Sequence, residues 1–357
     1  MRVAVLGGDG IGPEVVAEAL RVLDGVASAR NLPLVVTEFP WGTDWYLEHS
    51  EMMPSDALDR LAGFDAILLG AVGSPLVPDH ITLRELLLRI RFGFDQYVNL
   101  RPVRLLSGVD SPLADPSSLD IVFVRENSEG EYSGVGDRLF QGTSREVALQ
   151  TAVFSRVGVD RVMRWAFEYA RAAGRGKVTS VSKANALNYS AVLWDEIFEE
   201  VAADFSDVQS DSVLVDAAAM YLVTQPERFD VVVASNLFAD ILTEIGAALQ
   251  GGLGLAASAN LNPERRFPSM FEPVHGSAPD IAGQGIANPI GAIWSASLLL
   301  DHCGYPDDAA IVMQAVEEVV GEGEVSTPDL GGSATTSDVG KAVSARTGEI
   351  LRRGSSR

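Results

Sequence analysis

Three arginines stand where different parts of the chain should present them together: Arg91, Arg101 and Arg125. A guanidinium fork offers a carboxylate two parallel donors, so several such forks converging would cradle a small dicarboxylate. Arg91 falls on one predicted helical face with Arg84, Leu87 and Leu88, at i, i+3, i+4 and i+7. Arg101 lies in Asn99-Leu100-Arg101-Pro102, and Arg125 follows the strand-like run Ile121–Val124. Ordinary ion pairs on a solvated face would explain arginines equally well. Arg89 is read that way, and for the other three both readings stay open.

Carboxylates form a second set. Asp240 and Glu244 are four residues apart on a predicted helix and share a face, and Asp216 ends another predicted strand. Three converging carboxylates would make an all-oxygen site suited to Mg²⁺ or Mn²⁺, although an i, i+4 acid pair is ordinarily just exposed charge. Lys183 follows the run Val178–Val181. A lysine held near a metal and a buried acid can act as a general base, whereas most lysines at strand ends are solvated. Tyr132 is a possible proton donor or a packing residue. His275, beside Gly276, has no partner spacing for metal ligation.

The turn Gly7-Gly8-Asp9-Gly10-Ile11-Gly12-Pro13-Glu14 joins the first strand to a helix, where phosphate-binding turns sit. Its spacing departs from the dinucleotide fingerprint and places a proline after the last glycine. A tight structural turn is the competing reading.

The elements that must position these residues alternate in type. Val3–Leu6, Leu34–Val36 and Ala66–Leu69 read as strands, with helices at Pro13–Ala27 and Pro54–Leu61 between them. Thr82–Phe92 reads as a further helix. This βαβαβ rhythm predicts an α/β fold with a mainly parallel sheet. From Glu131 to Thr151 the sequence loosens into a polar, glycine-rich hairpin pattern, the signature of a projecting arm. The last residues, Arg352–Arg357, read as a frayed end.

A chain of 357 residues fits two domains. Its formal net charge of −22 makes it a poor partner for nucleic acid and makes local arginine clusters informative. One cysteine excludes an intrachain disulfide framework, and no apolar run is long enough to span a membrane. The cytoplasm is the expected compartment.

Several longer stretches resemble the isocitrate and 3-isopropylmalate dehydrogenases, which are decarboxylating 2-hydroxy acid dehydrogenases. They are Gly8-Asp9-Gly10-Ile11-Gly12-Pro13-Glu14, Asn99-Leu100-Arg101-Pro102, Arg125-Glu126-Asn127 through Tyr132, and Ser182-Lys183-Ala184-Asn185. Further on come Ser235-Asn236-Leu237-Phe238-Ala239-Asp240-Ile241-Leu242 and Phe271-Glu272-Pro273-Val274-His275-Gly276-Ser277-Ala278-Pro279-Asp280, then Ile286-Ala287-Asn288-Pro289. The resemblance spans nearly the whole chain. Asp79 through Leu83 and Phe94 through Arg104 look most like the tartrate and D-malate members of that family.

The resemblance implies a two-domain α/β fold in which residues 1–98 and 255–357 form the cofactor-binding domain. Residues 99–254 would form the second, with an arm at about 130–151 that meets a second copy. It implies NAD as cofactor, together with Mg²⁺ or Mn²⁺. Tyr132, Lys183 and Asp216 are the implied catalytic residues, and Asp216, Asp240 and Glu244 the metal ligands. Arg84, Leu87, Leu88, Arg91, Arg101, Arg125 and Asn185 would bind substrate. Ile11, His275, Gly276, Ser277, Ala278, Asp280 and Asn288 would bind the cofactor, with Asp280 on the adenosine ribose and repelling a 2′-phosphate. Lys183 and one metal acid would reach across from the other subunit of a homodimer.

Two departures bear on the substrate. Arg84-Glu85-Leu86 replaces a neutral segment on the helix that meets the C3 substituent, which favours a malate-type diacid carrying an extra anionic group and a pocket narrowed by Leu86. Glu244 stands where the family has the shorter Asp. The runner-up is 3-isopropylmalate dehydrogenase, with Leu87 and Leu88 as an apolar wall. A non-catalytic regulatory homologue is the alternative of another class, and it should have lost part of the Tyr132, Lys183, Asp216 and Asp240 set.

Overall fold

The computed structural model describes residues 1–115 and 119–354. In chain order the strands are β1 (Arg2–Gly8), β2 (Val35–Glu38), β3 (Ala66–Ala71), β4 (Val98–Arg104), β5 (Asp120–Glu126) and β6 (Gly136–Leu139). They continue with β7 (Val147–Gln150), β8 (Lys177–Ser182), β9 (Gln209–Leu214), β10 (Val231–Ala234), β11 (Ala257–Leu261) and β12 (Ser269–Pro273). The chain divides into two compact units, Met1–Gln96 with Arg104–Pro116 and Ala247–Arg357, and Tyr97–Val103 with Ser117–Gly246.

The first unit orders its strands β2-β1-β3-β12-β11. Every pair is parallel except β11 with β12, and β3 is buried along its whole length. Runs such as Ile67-Leu68-Leu69 are therefore continuous apolar stretches rather than alternating ones, as expected where both sheet faces are covered. The helices Gly12–Arg30, Ile290–His302, Pro306–Glu322 and Thr336–Gly354 pack around this sheet. Of the expected frayed end, Arg352 through Gly354 are helical, and residues 355–357 lie outside the described residues.

The stretch expected as one α-helix at Thr82–Phe92 is composite. An α-turn at Asp79–Thr82 leads into a π-helical segment, Leu83–Leu88, and an α-helical end at Arg89–Gly93. The i→i+5 pairing adds a residue per turn and rotates the residues beyond it, so the expected common face of Arg84, Leu87, Leu88 and Arg91 does not form. Arg84 and Glu85 are exposed, while Leu86, Leu87, Leu88 and Arg91 are buried. Leu86 lies in a core cluster with Trp41, Met52 and Met53, fully buried, so it lines no open pocket.

The second unit orders its strands β4-β5-β10-β8-β9, with β10 parallel to both β5 and β8 and β8 parallel to β9. The helices Arg156–Ala172 and Ser190–Asp204 pack together through Phe167 and Phe198, whose ring centroids are 5.6 Å apart. From it extends a two-stranded antiparallel ribbon, β6 with β7, anchored by paired backbone bonds between Gly130 and Val153. All eight ribbon residues are exposed, Leu139, Val147 and Leu149 among them, with Phe140 at its tip.

Candidate functional site

In the second unit, three of the sequence-predicted residues close around the carboxylate of a fourth, Asp240. Arg101 comes from the middle of β4 and Arg125 from the carboxyl end of β5, 6% and 2% exposed. The helix Asn236–Leu249 follows directly from β10 and supplies the facing groups. Arg125 Nη1 is ion-paired with Asp240 Oδ1, and Arg101 Nη2 meets the same oxygen at 3.3 Å. The Tyr132 hydroxyl donates to Asp240 Oδ2 at 2.8 Å, and the Arg125 guanidinium carbon lies 5.3 Å from the Tyr132 ring centroid.

Residues that the sequence does not single out hold this knot in place. Asn236 Oδ1 accepts from Arg125 Nε at 3.0 Å and Nη2 at 2.7 Å, while Asn236 Nδ2 donates to Glu129 O at 3.1 Å. One amide thus ties Arg125 to the turn that carries Tyr132. Arg101 donates through Nε to Asn99 Oδ1 and through Nη1 to Thr243 Oγ1, both at 2.7 Å. Asn236, Asp240 and Thr243 sit at i, i+4 and i+7, the spacing of one helix face. That periodicity is visible in the sequence, but an amide and a hydroxyl in an apolar helix pass for packing residues.

Glu244, one turn beyond Asp240, is exposed at its outer side. Burial pushes its carboxyl above the usual range; Arg101 and Arg125 oppose that shift and Asp240 adds to it. Lys183 and Asp216 form a separate pair, Nζ to Oδ1 at 2.7 Å. The hydrogen bond from Lys183 holds Asp216 below the usual carboxylate range. Asp216 opens the helix Val215–Thr224 with a side chain 66% exposed, and Asn185 is exposed on the loop after β8. Among the described residues, no three His, Cys, Asp or Glu side chains gather closely enough to hold a metal ion. The acids Asp216, Asp240 and Glu244 are therefore not assembled as a set within one chain.

In the first unit, buried Arg91 spends Nη2 on Glu272 Oε1 at 2.8 Å, and its Nε is buried without a hydrogen-bond partner among the described residues. A buried donor left open is costly unless a ligand meets it. Arg84 makes no ion pair or side-chain hydrogen bond among the described residues, and Leu87 and Leu88 are buried near it.

The loop 275–288, also in the first unit, brings the remaining candidates together. His275 Nδ1 lies 2.9 Å from Gly276 O, so it carries the proton, and Nε2 is a bare acceptor. That atom is buried with no partner among the described residues. Burial lowers the imidazole's pKa, so the ring is neutral at pH 7. Ile11 N donates to Ser277 O at 2.8 Å, and Ala278 is held at a φ of +40°. The Asp280 carboxylate is exposed and makes no hydrogen bond or ion pair among the described residues. Asn288 instead serves the frame, accepting from Ile290 N and donating to Asp329. An open buried acceptor and an unpaired carboxylate on one loop fit a ligand that brings an amine and hydroxyl donors, as the adenosine half of NAD does.

The chain is similar to known proteins over nearly its whole length. The sequence profile of the isocitrate/isopropylmalate dehydrogenase family matches residues 2–343. A probable tartrate dehydrogenase/decarboxylase of Bacillus subtilis is 50% identical over 346 residues, covering 96% of this chain and 97% of that protein. A 3-isopropylmalate dehydrogenase of Thermobifida fusca is 51% identical, with 98% of each covered. The decarboxylating D-malate dehydrogenase of Escherichia coli is 49% identical, with 96% and 97% covered. The crystal structure of isocitrate dehydrogenase from Methylococcus capsulatus superposes with a TM-score of 0.88 at 36% identity, covering 97% of this chain and 99% of that one.

Proposed function

Because the chain belongs to the isocitrate/isopropylmalate dehydrogenase family, we propose that it is an NAD-dependent, Mg²⁺- or Mn²⁺-dependent dehydrogenase that oxidatively decarboxylates a malate-type 2-hydroxy diacid. The observation that carries this reading is the knot of Arg101, Arg125 and Tyr132 around Asp240. It sets two carboxylate-binding forks beside a proton donor and an acid that a cation would claim.

The chemistry divides among these side chains. Arg101 and Arg125, with Arg91, would take the substrate carboxylates and fix which C–H faces the cofactor. Lys183 of a second copy would remove the C2 hydroxyl proton as hydride leaves C2, and NAD, when bound, accepts that hydride. Loss of the β-carboxylate as CO₂ leaves an electron pair on C3, and the Tyr132 hydroxyl would return the proton there. That proton is donated to Asp240 Oδ2 here, and this bond would open for it to reach C3.

Asp240 and Glu244, completed by Asp216 of a second copy, would hold the divalent ion. Their all-oxygen donor set suits Mg²⁺ or Mn²⁺, and the ion would supply positive charge beside the C2 oxygen. Exposure of Asp216 and of the β6–β7 ribbon supports a homodimer with shared sites, because an isolated two-stranded ribbon is marginal alone. No helix among the described residues is long and apolar enough to cross a membrane. A cytoplasmic site of action is part of this proposal.

The substrate class we favour is the tartrate and D-malate kind, with an added anionic C3 substituent as the variant that unpaired Arg84 would serve. The Thermobifida fusca relative favours 3-isopropylmalate as the second reading. Tyr132, Lys183, Asp216 and Asp240 are all retained, which argues against a non-catalytic regulatory homologue. The test is NADH formation with Mn²⁺ and a panel of D-malate, tartrate, 3-isopropylmalate, isocitrate and C3-carboxyalkyl malates, run on the wild type and Arg84→Ala. The highest kcat/KM should fall on D-malate, tartrate or a charged C3 derivative, with only the charged derivative weakened by Arg84→Ala. A preference for 3-isopropylmalate would install the second reading. Absence of turnover and of CO₂ release across the whole panel would reject the malate-type assignment.

A further inference from the structure

Apart from Ile11, the glycine turn Gly7–Glu14 has no role in the proposed chemistry, yet it is one of the most constrained segments of the first unit. Gly10 has a φ of +57°, and a Cβ there would collide with Ser277 O. Asp9 is buried and accepts from Thr43 N at 2.7 Å, Thr43 Oγ1 at 2.9 Å and Gly73 N at 2.8 Å. Glu14, in the first turn of the helix Gly12–Arg30, accepts from Gly283 N at 2.6 Å and Gly285 N at 3.1 Å. Two carboxylates a turn apart thus spend their oxygens mainly on backbone N–H groups of other loops.

We infer that Glu14 is a positioning residue for cofactor binding, its carboxylate fastening the loop that carries Asp280. The loop needs fastening because its two ends are held by Ile11, Thr336 and Asp329, while few bonds reach its middle, residues 278–285, from outside it. Gly283 and Gly285 sit at φ values of +76° and +66°, and a Cβ on either would meet nothing within 4 Å. The backbone bonds inside the loop are short turns, Ile281 N to Ala278 O and Gln284 N to Ile281 O. On its far side Thr336 N donates to Gly285 O at 2.8 Å. Thr336 Oγ1 likewise donates to Ala287 O at 2.7 Å, and charge-assisted bonds from two N–H groups to one carboxylate outweigh either neutral bond. Glu14 also lies at the positive end of its helix, where a carboxylate is stabilised. The functional half of this inference rests on reading the loop 275–288 as the cofactor site.

Two readouts separate the tether from that reading: hydrogen exchange across 278–288, and steady-state kinetics of the full enzyme. In Glu14→Ala, exchange there should rise about tenfold or more. KM for NAD should rise about five- to tenfold, with kcat and KM for the acid substrate within about twofold. Glu14→Gln keeps one acceptor oxygen and should fall between the two on both measures. It also carries the test if the alanine variant fails to fold. Unchanged exchange overturns the tether. Faster exchange with an unchanged KM for NAD keeps the tether but overturns the cofactor role of the loop, and with it the positioning role of Glu14.

Discussion

Tyr132 and Asp240 are joined by a 2.8 Å bond from the phenol to Oδ2, while Oδ1 of the same carboxylate meets Arg101 and Arg125. The two oxygens therefore divide two tasks. One balances guanidinium charge, and the other orients a proton donor. The bond holds the phenol's one proton beside the site, and protonating a carbon there requires only that the hydroxyl turn from Oδ2.

Removing the hydroxyl tests that division. Tyr132→Phe keeps the ring over Arg125 and leaves Asp240 with both guanidinium partners. Turnover should fall about 10²–10⁴-fold, as expected for the loss of a general acid, with KM for the acid substrate changed by less than about threefold. Near-normal kcat with the same substrate would assign the proton to another group.

Sharing of sites between two copies makes a different kind of prediction. Lys183→Met and Tyr132→Phe homodimers should both be nearly inactive. If Lys183 serves the Tyr132 of the other subunit, each mixed dimer holds one intact site and one doubly defective site. Co-expressed chains should then recover roughly a quarter of wild-type activity through random pairing. Mixed preparations no more active than the two parents would place both residues in a site made by a single chain.

The fold and the knot differ in how far the sequence reveals them. Val3–Leu6 and Ala66–Leu69 are read as strands because a buried parallel strand is a short continuous apolar run, and β1 and β3 contain them. The π-helical segment at Leu83–Leu88 is not legible, since Leu86-Leu87-Leu88 satisfies an α-helical spacing as well as a π one. Burial of all three residues in a row reflects packing, which periodicity does not encode. Asn236 and Thr243 escape notice for a related reason. Their roles exist only once Arg125 and Arg101 arrive from strands more than a hundred residues away. Glu14 reads from sequence as an ordinary first-turn acid, and its partners 269 and 271 residues on are set by tertiary structure alone.

Asn236 should accordingly matter to folding as much as to activity. Asn236→Ala removes the acceptor for Nε and Nη2 of Arg125, a side chain 2% exposed, while Nη1 keeps Asp240. Leaving buried charged donors short of an acceptor costs about 1.5–3 kcal/mol. For units of this size that corresponds to a fall in Tm of roughly 3–12 °C. KM for the acid substrate should rise as well, because Arg125 loses its orientation. A thermal midpoint within about 1 °C of wild type would mean that water replaces the amide without penalty.

Stability should depend on pH through His302, which sits at the end of the helix Ile290–His302 near Phe271, ring centroids 5.6 Å apart. Burial, with a smaller push from Arg265, brings its imidazole down to about 4. An unfolded chain would protonate the same ring near pH 6.5. Between those values the unfolded state binds the proton and the folded state does not, so this contribution to stability is complete above about pH 6.5 and is lost as the pH falls toward 4. The full loss amounts to about 3–4 kcal/mol. Thermal midpoints from pH 7.5 down to 5 should therefore decline more steeply in the wild type than in His302→Gln, which has no proton to take up. Parallel curves for the two proteins over that range would show that His302 titrates alike in the folded and unfolded chains.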